Sequence, residues 1–265
     1  MLDAALDLLA ADGVTVALDG LQLEDVIRHA DVSRTSAYRR WPTREAFLED
    51  VLVELAHGIE LADVGPRIAA AAAPLLEHRE SLHTEQGRRE LFVDLLRVSF
   101  QTDLEAIYAS PQFQTYLALR AAFVGVPSDE LRGRLAAALV HSERRAVARG
   151  SVILLGACRL LGLRLTGPLG AGPDGAVTLA RAIAATTTGF VVTALADPDV
   201  LRESRREAPF GSTRTAAWSL PALTLTGLVL AHVEPDPRGP DLDAGTLEEA
   251  LQGLVAAGAA AAAGA

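Results

Sequence analysis

The sequence predicts an all-α protein, and three observations carry this prediction. Apolar residues recur at helical spacing from the start of the chain, where Leu2, Ala5, Leu6 and Leu9 occupy positions i, i+3, i+4 and i+7. Hydrophobic residues make up 50% of the chain but aromatic residues only 5%, so the core must consist largely of Ala, Leu and Val. Ala and Leu are strong helix formers. Finally, no segment alternates convincingly between apolar and polar residues as a half-buried strand would.

The segment 21–42 is typical of two short helices joined by a tight turn. The apolar positions on one face of the first helix are Leu23, Val26, Ile27 and Ala30. Asp31 and the residue after it form the turn, and Ser33 is a natural N-cap for the second helix. Ala37 and Trp41, four residues apart, continue the inward face, and Pro42 ends the helix.

A further helix begins at the N-cap candidate Thr43, and the segment DVGPR at 63–67 interrupts its pattern. Because Pro66 can open a new helix, the sequence predicts two domains, 1–57 and 66–265. Helical periodicity then predicts helices at roughly 66–80, 87–108, 111–124, 128–163, 176–196, 213–233 and 244–259. Loops are expected at 166–176, 197–212 and 234–245. The Ala/Gly-rich tail after Val255 is expected to fray, since it has little to pack against.

Positive charge is concentrated on the second short helix, although the chain is acidic overall. The chain has 34 Asp and Glu against 24 Arg, a net charge of −10, yet four arginines fall within residues 34–44. The exposed face of the helix comprises Arg34, Thr35, Ser36, Tyr38, Arg39 and Arg40. Such a helix fits the DNA major groove, where Arg reads guanine and small hydroxyls accept either polarity. Tyr and Arg at the helix ends suit phosphates, which fix register rather than sequence. This pattern favours DNA binding over an ordinary solvated helix face.

The stretch VSRTSAYRRWPTREAF, residues 32–47, resembles the recognition segment of the TetR family of transcriptional regulators. That segment has the pattern V-S-x-x-T-x-Y-x-x-F-P-[ST]-K-E-A-L. The departures in this chain include Asp31 for the usual turn Gly, Ser36 for Thr and Arg44 for Lys, and the link between the first two helices is slightly long. The resemblance covers residues 1–57; beyond them it is limited to all-α character, length and layout. It implies a three-helix helix-turn-helix DNA-binding domain followed by a larger helical ligand-binding and dimerisation domain. The DNA-binding residues it implies, together with the exposed face, are Ser33, Arg34, Thr35, Ser36, Tyr38, Arg39, Arg40, Thr43 and Arg44.

The resemblance implies a small-molecule effector and a homodimer for the second domain. The candidate ligand-binding residues are Phe92, Leu96, Phe100, Tyr108, Phe113, Tyr116 and Thr187. An apolar pocket with a few polar groups is the usual ligand site, but these aromatic residues fit an ordinary core equally well. The segments 176–196 and 215–233 are nearly uncharged on every face, so we expect them to be buried in the core or in a four-helix dimer seam. The hydroxyls of residues 186–188 could line a pocket or bond back to their own helix.

These features predict a ligand-responsive repressor that binds a palindromic operator as a homodimer and is released by a small molecule. The alternative is an all-α small-molecule-binding or interaction protein with weak or lost DNA binding. The acidity of residues 1–60 keeps this alternative open, because 12 acidic residues and five arginines leave a net charge of −7.

Enzymatic, metal and cofactor functions are not expected. No nucleophile and base fall in a catalytic arrangement, and the six histidines form no metal-ligand motif. The segment GAGPDG at 170–175 fits G-x-G-x-x-G, but the predicted elements around it are not those of a phosphate-binding loop. Cys158 is expected to be a buried small hydrophobe. The opening residues lack the charge pattern of a signal peptide, and the apolar runs at 151–163 and 218–233 are too short to span a bilayer. We therefore expect a cytoplasmic protein with no membrane partner.

Overall fold

The computed structural model describes residues 1–11, 21–57, 73, 75–123, 125–126, 128–240 and 247–264. The chain is predominantly helical, in agreement with the predicted all-α class. The helices of the described residues are α1 (Leu2–Ala11), α2 (Leu23–His29), α3 (Arg34–Arg40), α4 (Arg44–His57), a 3-10 helix (Arg79–His83), α5 (Glu85–Tyr108), α6 (Pro111–Phe123), α7 (Asp129–Leu160), α8 (Gly167–Gly170), α9 (Gly175–Ala196), α10 (Asp199–Arg202), α11 (Leu220–Leu230) and α12 (Leu247–Ala263). The strands are β1 (Leu163–Leu165), β2 (Ser204–Glu207), β3 (Ala216–Ser219) and β4 (Val233–Pro235).

The long helices lie where their periodicity places them. The bounds of α5, α6, α7 and α9 fall within three residues of the predicted ranges. The helix predicted at 213–233 is shorter, because β3 occupies its beginning. Ser219 ends that strand and caps α11, its Oγ accepting a hydrogen bond from the Ala222 N–H at 3.3 Å. The helix predicted at 66–80 and the boundary near Pro66 lie mostly outside the described residues.

Two small antiparallel sheets, absent from the sequence-based prediction, join segments that are distant in the chain. β1 pairs with β4, and the register places Arg164 opposite Glu234, with which it forms an ion pair. β2 pairs with β3, with Ser204 opposite Ser219. The strands are three or four residues long, too short for an alternating pattern to be recognised. The loop predicted at 197–212 therefore contains both α10 and β2.

The chain divides into two compact units. The first comprises 1–61 and 110–143, and the second comprises 62–109 and 144–265. The predicted N-terminal domain, 1–57, falls entirely within the first unit. Residues 110–143 were assigned by the sequence to the second domain, but they belong to the first unit. This unit therefore contains α6 and the first half of α7 in addition to α1–α4.

The core of the first unit is built from α1, α2, α3 and α4. Val26, Phe47 and Val51 are fully buried there. The rings of Trp41 and Phe47 meet edge to face with centroids 5.1 Å apart, a favourable aromatic geometry. The remaining members of the cluster are Ala4, Ala5, Leu9, Leu21, Leu23, Ile27 and Ala37. This core fixes the position of α3 from one side and leaves its other side to solvent.

In the second unit, α5 packs against α11, and β3 leads directly into α11. Val93 of α5 forms a buried cluster with Trp218 and Ala222. The ring of Phe210 meets that of Trp218 edge to face, with centroids 5.6 Å apart. Cys158 is 1% exposed, which confirms its prediction as a buried hydrophobe, and burial raises the pKa of its thiol to about 12.

The C-terminal tail packs against α7, contrary to the expected fraying. Helix α12 continues to Ala263, and Ala262 is buried. Its carbonyl accepts a hydrogen bond from Arg145 Nε at 3.2 Å. Leu254 lies directly over Gly156, where a Cβ would come within 2.0 Å of the leucine Cδ1. Small residues on both helices permit this close approach. The packing of the tail therefore could not be predicted from large apolar residues.

Helix α9 presents apolar side chains to solvent. Val192 and Leu195 are about half exposed, at 50% and 53%, and Leu220 at the start of α11 is 57% exposed. By length and composition α9 could cross a membrane, and 22% of its most apolar window is buried. A single helix of this kind also occurs in the cores and interfaces of soluble proteins, so the finding is compatible with a soluble protein.

Candidate nucleic-acid interface

Helix α3 begins at a well-formed cap after a strained turn. Ser33 has extended backbone angles, and its Oγ accepts a hydrogen bond from the Ser36 N–H at 3.2 Å, as an N-cap should. The Ser33 hydroxyl also donates to Ser36 Oγ at 2.9 Å. Asp31 adopts a left-handed conformation with φ of 51°. Asp is among the few residues that tolerate this region, which explains how the turn closes without glycine.

The buried and exposed faces of α3 differ sharply in chemistry. Ala37 and Trp41 are buried at 2% and 8% exposure and anchor the helix to the core. The candidate DNA-binding residues that the structure places on the exposed surface are Ser33, Arg34, Thr35, Ser36, Tyr38, Arg39, Arg40 and Thr43. This surface is thus polar, positively charged and supported from behind by apolar packing. Arg44 is the one candidate that is not exposed.

Arg44 is engaged with the backbone at the start of α2. Its Nε and Nη2 both donate to the Leu21 carbonyl, at 3.2 and 3.1 Å. The guanidinium is therefore partly buried and ties the beginning of α4 to the chain before α2. Thr43 acts as the predicted cap of α4, because its Oγ1 accepts from the Ala46 N–H at 3.2 Å. The sequence placed Arg44 at a phosphate; the structure gives it this intramolecular contact.

Tyr38 is exposed, but its hydroxyl already has a partner. It donates to Glu24 Oε1 of α2 at 2.6 Å. This hydrogen bond lowers the pKa of Glu24 and raises the pKa of Tyr38, since each is held in the protonation state that the bond requires. Glu24 thus stays ionised beside the exposed face of α3. A phosphate contact from Tyr38 would require the hydroxyl to exchange one anionic oxygen for another.

Asp50 of α4 is a central residue of this surface that sequence reasoning missed. Its Oδ2 accepts the Trp41 indole N–H at 2.9 Å, and its Oδ1 accepts a charged hydrogen bond from Arg134 of α7. Arg40 Nη2 lies 3.9 Å from Oδ2. Burial alone would raise the pKa of Asp50, but the bonds from Arg134 and Trp41, with the charges of both arginines, lower it instead. Asp50 is therefore an ionised carboxylate that joins α3, α4 and α7.

The acidic balance of the first unit remains after residues 110–143 are included. Residues 1–61 carry −7, and 110–143 add three arginines and three acids, which leaves the sum unchanged. The positive charge is consequently local to α3 and its ends. A surface of this kind neutralises few phosphates, so its affinity for DNA should depend only modestly on salt.

The candidate ligand-binding residues fall in both units. Phe92, Leu96 and Phe100 are buried along one face of α5 in the second unit. Tyr108, at the end of α5, and Thr187, on α9, are half buried in the same unit. Residues 186 and 188 hydrogen-bond back to the carbonyls of their own helix, at 2.8 and 2.9 Å, which favours the second of the two roles considered for the threonine run.

Phe113 and Tyr116 belong to the first unit, where they are buried with ring centroids 5.5 Å apart. The Tyr116 hydroxyl donates to Glu143 Oε1 at 2.5 Å and accepts from Arg120 Nε at 3.0 Å. Arg120 and Glu143 also form an ion pair. Burial and the bond to Glu143 raise the pKa of Tyr116 to about 12. This set joins α6 to α7.

The second unit contains a buried ionic cluster that the sequence did not reveal. Glu90 and Asp94 are less than 9% exposed although both are acidic. Arg214 lies 3.5 Å from Glu90 Oε2 and 3.3 Å from Asp94 Oδ2. Thr213 donates to Glu90 through its N–H and its hydroxyl, at 3.1 and 2.8 Å. Burial raises the pKa of Glu90, but these hydrogen bonds outweigh it and lower the pKa overall. The cluster ties the β2–β3 connection to α5.

Comparisons with known proteins do not identify the chain: no family model, no curated protein and no solved structure matches it. Within the described residues, no group of three potential metal ligands converges. The rings of His57 and His141 lie with their centroids 6.3 Å apart, a pair without a third ligand in the described residues. Function must therefore be argued from the geometry of the candidate interface itself.

Proposed function

We propose that this protein is a transcriptional repressor that binds double-stranded operator DNA through a helix-turn-helix formed by α2 and α3. One observation carries the proposal: α3 exposes Arg34, Arg39 and Arg40 with small hydroxyls, while its opposite side is anchored by buried residues. A rigid short helix with this surface can enter the major groove and present its first turn to base edges. The resemblance of residues 32–47 to the TetR recognition segment supports the same function.

The repressor acts as a homodimer on a palindromic operator. Two recognition helices related by two-fold symmetry read two half-sites, so the operator repeats the symmetry of the protein. Support for self-association comes from the exposed apolar residues of α9, Val192 and Leu195, with Leu220 of α11. Burial of these side chains against a second copy removes apolar surface from water.

A small molecule bound by the second unit releases the DNA. The buried aromatic face of α5, with Phe92 and Phe100, supplies apolar surface of the kind that ligand sites use. An effector acts by binding one conformation of the dimer more tightly than the other, which shifts the population away from the DNA-competent form.

The alternative is a small-molecule-binding or interaction protein with weak or lost DNA binding. The net charge of −7 over residues 1–61 favours it, since DNA-binding domains are usually basic. The engagement of Tyr38 with Glu24 also favours it, because a hydroxyl expected at a phosphate has an internal partner.

Binding to the DNA upstream of the protein's own gene separates the two functions. In a gel-shift assay at low salt, the regulator gives a complex that unlabelled upstream DNA displaces and that a scrambled duplex of equal length and composition does not. Equal displacement by both competitors, or no complex, would favour the alternative. An Arg34→Ala, Arg39→Ala variant, altered only on the exposed face of α3, controls for binding elsewhere on the protein.

A further inference from the structure

Two arginines compete for Asp50, and they have different places in the proposed function. Arg40 lies in the last turn of α3, where its side chain is 72% exposed. Arg134 lies in α7 and is bonded to the same carboxylate. We infer that Arg134 is a positioning residue: by neutralising Asp50 it keeps Arg40 available for a DNA phosphate. The inference rests on the proposed function and adds to it a control of the recognition surface by α7.

Arg134 interacts more closely with Asp50 than Arg40 does. Arg134 makes a direct charged hydrogen bond to Oδ1, whereas Arg40 approaches Oδ2 only to 3.9 Å, beyond hydrogen-bond distance. The Arg40 guanidinium also lies over the Trp41 ring, 5.8 Å from its centroid. Arg40 therefore sits beside the carboxylate without being tied to it. The side chain of Asp50 is 19% exposed, so a charge next to it is only partly screened by water.

Loss of Arg134 would change which cation neutralises Asp50. A partly buried carboxylate without a counter-ion is unfavourable, so it attracts the nearest cation that can move. Among the described residues, Arg40 is the other cation within 4 Å of Asp50. A side-chain rotation would bring it onto the vacated oxygen. Arg40 would then have to break an ion pair before it could contact a phosphate, and the positive charge of α3 would fall by one where DNA approaches.

The arrangement links α7 to α3 through a single side chain. Asp50 also orients Trp41, which caps the end of α3 and holds it against the core. Any change that draws Arg134 away from Asp50 would therefore reach the recognition surface by electrostatics, without displacing α3 itself. This electrostatic effect differs from a change in the spacing of the two recognition helices of a dimer.

The test is a double-mutant cycle on operator binding by the full-length protein. Binding of labelled upstream duplex is measured by fluorescence anisotropy for the wild type, R134Q, D50N and the D50N/R134Q double variant. We expect R134Q to weaken binding roughly three- to tenfold and to lower the salt slope by about one per recognition helix, as the loss of one phosphate contact does. D50N keeps an oxygen that can accept the Trp41 N–H but removes the charge. We expect D50N to bind at least as tightly as the wild type, and the double variant to match D50N.

A second double-mutant cycle tests whether the effect of Arg134 on DNA binding depends on Arg40. R40Q should weaken wild-type binding by about the same factor, but it should cost little in the R134Q background, because Arg40 is already paired there. R134K, which retains the charge, should recover most of the affinity. A merely structural role for Arg134 would instead give additive losses and would leave R134Q weak in the presence of D50N.

Each result has a definite meaning. Equal affinity of R134Q and wild type, or a double variant as weak as R134Q alone, would overturn the inference and leave the proposed function standing. Absence of specific binding by the wild type would reject the proposed function and the inference with it. If R134Q does not fold, as judged by its circular dichroism, D50N decides: a loss of affinity in D50N would contradict the inference.

Discussion

An acidic residue, Glu24, contacts Tyr38 on the exposed face of α3. The Tyr38 hydroxyl is held by Glu24, an anion that a phosphate would have to replace. The exchange would replace a carboxylate oxygen with a phosphate oxygen, a contact that fixes register and carries no sequence information. Tyr38 should therefore act on affinity in general rather than on the reading of bases. Arg34 and Ser36, in the first turn of α3, are the side chains suited to base edges.

Substitutions on α3 should separate these two roles. Tyr38→Phe should weaken binding to all operator variants by a similar factor, since phosphates carry no sequence information. Arg34→Ala or Ser36→Ala should change the preferred base, at roughly 1–3 kcal/mol per lost contact. Binding of each variant to a panel of single-base operator changes measures both effects. A Tyr38→Phe protein with altered preference and unchanged overall affinity would show that the assignment of roles is incorrect.

Tyr116 offers a test of the first unit that is independent of DNA. Tyr116→Phe removes a hydrogen bond to an ionised carboxylate and should lower the free energy of unfolding by about 1–3 kcal/mol. The pKa of Tyr116 lies near 12 in the folded protein, above the ordinary value of 10.0. The contribution of the hydroxyl is therefore complete below pH 10 and is lost as the pH rises towards 12.

Urea unfolding of the wild type and Tyr116→Phe at several pH values measures this dependence. The difference in unfolding free energy between the two proteins should be constant from about pH 7 to about pH 9 and should shrink above that range. A difference that stayed the same up to about pH 11 would show that the hydroxyl is not held by Glu143 in solution.

Helix α9 has an exposed apolar surface that is poorly suited to an isolated chain. Its exposed side chains are uncharged except for that of Arg181, and Val192 and Leu195 are exposed to solvent. The sequence predicted burial of this helix in the core or at a subunit interface. The structure leaves one face of it open to solvent. Coverage of this face by a second copy of the chain stays a prediction.

A charge placed on the exposed face of α9 should block self-association. Val192→Glu should convert a dimer to a monomer, because an unpaired carboxylate buried in an apolar interface costs several kcal/mol. Val140→Glu is a matched control, as Val140 is an exposed valine on a different helix, at 41% against 50%. Sedimentation equilibrium gives the mass of each variant. A dimer that survives Val192→Glu but not Val140→Glu would place the interface elsewhere.

The helices that could be predicted from the sequence are those long enough to show a period. Helices α5, α6, α7 and α9 were found within three residues because each repeats its apolar pattern over several turns. The capping of α3 could be predicted from Ser33 alone, since a serine before the first turn accepts a hydrogen bond from an N–H of that turn. The β2–β3 pair escaped prediction because its two segments are short, and their pairing depends on contacts made elsewhere in the fold.

The assembly of the first unit could not be predicted, because it depends on side chains far apart in the chain. Arg134 and Asp50 are 84 residues apart, and so are not linked by any local pattern. The Ser142 hydroxyl donates to the Ala56 carbonyl at 3.0 Å, a bond of the same long range. The face of α3, in contrast, was predictable residue by residue. The sequence thus located the candidate surface but not the residues that hold it in place.

At the scale of the whole molecule, the proposed function requires an acidic protein to bind DNA through a local positive surface. The chain carries −10 in total, whereas α3 carries three arginines and no acidic residue. Non-specific attraction should therefore be weak, and most of the binding free energy should come from contacts that need the correct operator. Because each α3 makes few contacts, the second half-site that a dimer binds should be correspondingly important for the affinity.

The most direct test is specific binding of the wild-type protein to its own upstream DNA as a function of salt. We predict a saturable complex at about 50 mM salt, specific over a scrambled duplex, with a shallow slope of log affinity against log salt towards about 200 mM. The slope should correspond to the few exposed arginines of each α3. Absence of specific binding at about 50 mM salt would contradict the central claim and favour a helical protein that does not act on DNA.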